Sequence, residues 1–260
     1  MAVQYIGRGS RTLSANAVTA TLPTGVAEGD LMILAVGTAN QAITTPDGWI
    51  EVANSPQGAG TGGQADAIRL GLYYKIATSS ESDLTVADTG DYQIASIFLF
   101  RGTDTTTPFN TTAGRVQTSA TTTYTGNAIT TTIDGCMIVD FIGIDRDVIN
   151  TANLSSWTNA SLETITEILD YANNTQTGGG LGVANGIDTI AGSVDATTAT
   201  LSASQIYASI TVAISPPVVI TGQKLKYWSG SAWVEGTLKR YDGATWVDTV
   251  LKYWNGSNWV

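Results

Sequence analysis

No histidine occurs anywhere in the 260 residues. That absence removes Ser-His-Asp and Cys-His nucleophilic catalysis together with the commonest zinc ligand. Cysteine is nearly as scarce: Cys136 stands alone, so the chain closes no disulfide on itself and builds no cysteine metal cluster. It lies in the apolar run Cys136-Met-Ile-Val139 and is expected to be a small core residue. No apolar stretch approaches the roughly eighteen residues that cross a bilayer. Even residues 31–36 and 94–100 end quickly, and no membrane insertion is expected. The opening residues lack the apolar core of a signal peptide, which points to synthesis in a cytoplasm. Phosphate loops, nucleophile elbows and dinucleotide fingerprints are also missing, Gly178-Gly-Gly180 being a lone flexible run, and no cofactor is expected.

Charge is sparse and uneven. Only 13% of residues are charged while Thr, Ser, Gly and Ala abound, a composition suited to extended structure with polar faces, so little helix is expected. Of 12 Lys/Arg and 22 Asp/Glu, five and three follow Thr221, a net +2, which leaves seven and nineteen before it, a net -12. An acidic body argues against nucleic acid as a partner. The basic tail reads first as charged decoration that keeps exposed strands soluble.

Short β-branched runs recur between Gly, Asp and Thr punctuation at residues 31–36, 68–74, 94–100, 137–142 and 206–214, the pattern of an all-β, jelly-roll-like sandwich. In Ile210-Thr-Val-Ala-Ile214 the residues Ile210, Val212 and Ile214 share one face. Leu162, Ile165 and Leu169 fall at helical spacing, but the Thr and Ile around them favour a strand.

The body, residues 1–215, also looks duplicated, with halves at about 18–110 and 127–215. Gly29-Asp-Leu-Met-Ile-Leu-Ala-Val36 matches Gly135-Cys-Met-Ile-Val-Asp-Phe-Ile142; Trp49 and Trp157 follow, and then Ala95-Ser-Ile97 and Ala208-Ser-Ile210. Equivalent tryptophans in both halves would be core plugs. Duplication implies either two packed sheets or two sister domains. Pro216-Pro217 ends the body, and residues 216–224 read as a linker.

Residues 225–260 repeat one unit three times, from Leu225, Leu238 and Leu251, each with a glycine between aromatic positions. Ser229-Gly230, Asp242-Gly243 and Asn255-Gly256 supply turns between short strands, which makes the tail a β-hairpin array. A four-residue loop sets Trp228 opposite Trp233, Tyr241 opposite Trp246 and Trp254 opposite Trp259. Each such aromatic pair contributes roughly 0.5 to 1 kcal/mol. A two-residue loop would set Lys226 opposite Trp233 instead. A tail this small, without disulfide or metal, sits near the lower limit for folding alone and needs a neighbouring surface. Those six aromatics are the candidate binding residues, for assembly or for stacking on glycan.

Carboxylates are the remaining route to chemistry. Asp140, Asp145 and Asp147 could flank a glycosidase-like cleft, with Glu163 and Glu167 as alternates. The same acids with Asp88 and Asp91 could hold calcium, although no loop has calcium-ligand spacing. Such clusters are usually solvated loop ends, and neither catalysis nor a bound metal is expected.

Gly29-Asp-Leu-Met-Ile-Leu-Ala-Val36, Thr45-Pro-Asp-Gly-Trp49, Leu70-Gly-Leu-Tyr-Tyr-Lys-Ile76 and Phe100-Arg-Gly-Thr-Asp-Thr-Thr-Thr-Pro-Phe109 resemble a β-sandwich module of tailed-bacteriophage virion proteins. The tail resembles the Trp-x-Gly-x-x-Trp-Val repeats that close some phage minor tail and fibre proteins, with Arg240-Tyr241 departing from the pattern in the second repeat. This resemblance implies a non-enzymatic component of the virion surface, in tail, fibre or capsid decoration, assembled in the host cytoplasm. The partners expected are other virion proteins, further copies of the chain with a trimer favoured, and a glycan of the host surface. It carries over no catalytic or ligand residues. The alternative is a carbohydrate-binding adhesion module that works without a particle.

Overall fold

A computed structural model of the chain describes residues 2–145, 153–173, 178–217, 225–229, 231–236, 239–241 and 243–248. Two compact units divide the chain, Met1–Pro217 and Val218–Val260. Among the described residues every regular element is a β-strand.

The first half of the body supplies β1 (Gln4–Arg8), β2 (Thr12–Ser14), β3 (Val18–Ala20), β4 (Leu31–Thr38), β5 (Ile50–Glu51), β6 (Gln57–Ala59), β7 (Ile68–Ile76), β8 (Leu84–Val86) and β9 (Gln93–Arg101). The second supplies β10 (Phe109–Thr125), β11 (Ile129–Thr130), β12 (Cys136–Ile144), β13 (Leu154–Thr158), β14 (Thr166–Asn173), β15 (Gly179–Asp188), β16 (Ser193–Val194) and β17 (Thr198–Ile214). Each half builds its own antiparallel sheet, in the order β1-β9-β4-β7-β5 and β10-β17-β12-β15-β14. In each half a short pair, β3 with β8 and β11 with β16, forms a separate two-stranded sheet. Each half thus combines a large layer with a small one. The whole is a β-sandwich of two sister sheets.

The apolar runs form strands buried on both faces, which is why they read as continuous rather than alternating. Their inner faces share one core. Ile33 of β4, Leu70 of β7 and Phe98 of β9 meet Phe141 of β12, Val183 of β15 and Ile210 of β17. Phe98 and Phe141 pack edge to face across the sheets at 5.4 Å. The outer face of the first sheet carries a second core, in which Met32, Leu34, Ile97 and Trp49 pack with Val18 and Val86 of the small layer. Polar contacts close both open sides of the sandwich. Arg8 Nε donates to the Ile168 carbonyl at 3.1 Å and Arg11 lies over the Tyr171 ring at 3.9 Å. On the other side Asn54 Nδ2 donates to the Thr112 carbonyl at 2.9 Å.

The two large sheets correspond in the pairing of their central strands but not at every residue. β4 and β12 start just after Gly29 and Gly135, both at positive φ, 86° and 77°. Leu31 lies opposite Phe100 and Met137 opposite Ile214, so β9 and β17 correspond. The Ala-Ser-Ile match, however, is displaced by one residue. Ala95 faces the outer core while Ala208 faces the inter-sheet core. A one-residue slip exchanges the faces of a strand, and the register pairs Ala95 with Ser209 as equivalents. Trp49 and Trp157 are not equivalent either: Trp49 precedes β5, which pairs with β7, whereas Trp157 belongs to β13, which pairs with β17. Trp49 is buried and Trp157 is half-buried. Around Leu162 the helical spacing leads to neither helix nor strand at first. The strand begins at Thr166, with Leu162 in an outer core and Leu169 between the sheets.

The tail unit contributes β18 (Leu225–Trp228), β19 (Trp233–Gly236), β20 (Lys239–Tyr241) and β21 (Trp246–Asp248), which form two separate two-stranded sheets.

Candidate functional site

Asp140 occupies the centre of the outer face of the second sheet. Strand register makes it the counterpart of Leu34: Leu34 lies opposite Ile97, and Asp140 lies opposite Thr211. An apolar pair in one half is therefore a carboxyl and a hydroxyl in the other. Asp140 is 2% exposed, buried within β12 rather than placed at the solvated loop end expected of it. Thr211 Oγ1 donates to Asp140 Oδ1 at 2.5 Å and the Tyr124 hydroxyl donates to the same oxygen at 3.2 Å. Burial pushes the Asp140 carboxyl above the usual range, opposed by the hydroxyls of Thr197, Thr211 and Tyr124. Burial raises the Tyr124 phenol well above its ordinary value, and the neighbouring Asp140 charge adds to the effect.

This network pins the link between β10 and β11 across the sheet. Gly126 N–H donates to the Thr197 carbonyl at 2.8 Å, and Asn127 donates to Thr211 Oγ1 through its backbone and its side chain, both at 3.3 Å. A Cβ at Gly126 would lie 2.7 Å from the Tyr124 hydroxyl and 2.8 Å from Asp140 Oδ1, so only glycine fits as drawn. The arrangement can hold a proton and orient a chain crossing.

The other described candidate acids have different partners or lie exposed. Asp145 is buried and accepts the Ile206 N–H at 3.1 Å. Asp147 lies outside the described residues. Glu163 is exposed, and Glu167 accepts Trp157 Nε1–H at 2.7 Å. Asp88 and Asp91 each accept a local N–H, from Gly90 at 2.8 Å and Tyr92 at 2.6 Å. Among the described residues no three His, Cys, Asp or Glu side chains gather as a metal site. Cys136 is a buried core residue whose thiol is pushed up to about 11 by burial, with Asp188 and Asp134 adding to it.

One structural ion pair joins the Gly29-Asp30 and Phe100-Arg101 motifs. Asp30, at the mouth of β4, is gripped by Arg101, at the end of β9, through Nε at 2.8 Å and Nη2 at 2.7 Å. The buried carboxylate also accepts the Ala27 N–H at 2.9 Å. Counting along the paired strands places Cys136 and Ser215 at the corresponding positions of the second half. The pairing was visible only as two separate motifs, since nothing local joins residues so far apart in the chain.

In the tail, β18 and β19 place Trp228 opposite Trp233, and β20 and β21 place Tyr241 opposite Trp246, the register of the four-residue loop. Ser229 closes the first turn, its N–H donating to the Ala232 carbonyl at 2.9 Å and its hydroxyl accepting the Ala232 N–H at 3.2 Å. Gly243 takes φ +104° in the second. The Tyr241 and Trp246 rings lie 5.5 Å apart at 54°, and these residues are 56% and 66% exposed. Trp254 and Trp259 lie outside the described residues.

No family model matches the chain, and no curated protein or solved structure matches it.

Proposed function

We propose that the chain is a non-enzymatic structural protein of a bacteriophage particle surface, with a body that docks on the virion and C-terminal repeats that serve assembly or attachment to the host. The observation that carries this reading is the separation of two kinds of apolar surface. The body buries Tyr92, Phe98, Phe100 and Phe141 in a core shared by both halves, while the tail carries its aromatics in repeated hairpins and exposes Tyr241 and Trp246. Small hairpins with exposed rings are incomplete by themselves and suit a contact surface. The residues that carry the phage resemblance have structural work in the body, as the Asp30–Arg101 pair illustrates.

Gold labelling of phage particles with an antibody against the body tests the reading. Label on the head or at one end of the tail is the expected result, and its position separates capsid decoration from a tail or fibre component. Unlabelled particles from a lysate that contains the protein would overturn it. The same exposed rings favour a second reading, a free carbohydrate-binding module, which expects a monomer that retains glycan and never enters the particle.

A further inference from the structure

We draw no further inference here: the strongest candidate, the uncharged hydroxyl face that Thr123, Thr200 and Ser155 expose across β10, β17 and β13, is a sheet face with nothing in the structure to show what covers it.

Discussion

Asp140 stands where the sister sheet has an apolar residue, and its chemistry gives the protein a distinct pH signature. Its carboxyl takes up a proton more readily in the folded chain than in the unfolded one. The stability linked to it is therefore whole below the ordinary carboxylate pKa, around 4, and is lost as pH rises through the raised folded value. The Asp140→Asn variant removes that dependence, so it should gain stability relative to the parent as pH increases. Urea unfolding of both proteins at pH 4 and pH 8 checks this, and an unchanged difference between them would count against the buried-acid account. Little of this was legible beforehand. An aspartate in an apolar run is visible, but its partners Thr211 and Tyr124 lie on other strands, and only the fold brings them to one oxygen.

Among the elements, the apolar strands were the legible ones, because burial on both faces leaves runs such as Leu31-Met-Ile-Leu-Ala-Val36 without polar interruption. β10 was not: it is rich in Thr and Ser, mostly half-buried or exposed, and forms the edge of its sheet. What positions it is tertiary, including its long ladder with β17 and the polar pins at its end. Gly126 tests those pins. Gly126→Ala forces the Tyr124 hydroxyl or Asp140 to move and should destabilise the body by about 1–3 kcal/mol, the usual cost of overpacking a tight site. Gly7→Ala is the control, since a Cβ there meets nothing within 4 Å and should change stability little. Equal effects in denaturant titrations would show that the link is not held as described. The hairpin register was legible because the aromatic spacing repeats within each unit, whereas the one-residue displacement at Ala95 was hidden by a three-residue match too short to define a face.

At the scale of the whole molecule, duplication allowed either two sister domains or two packed sheets, and the structure has the sheets sharing one core. Neither half can bury its inner face alone, so the body should melt in a single cooperative calorimetric transition. Two transitions from a protein with the tail removed after Pro217 would mean that the halves are separate domains. The pattern of strands was within reach of the sequence because burial is written locally. The functional partner was not, because a contact surface is defined by what it meets. The most direct measurement is mass spectrometry of phage particles purified by density gradient from a lysate that contains the protein. The protein is expected in the particle band at a fixed ratio to the capsid protein; its recovery only from the soluble fraction would contradict a place on the virion surface.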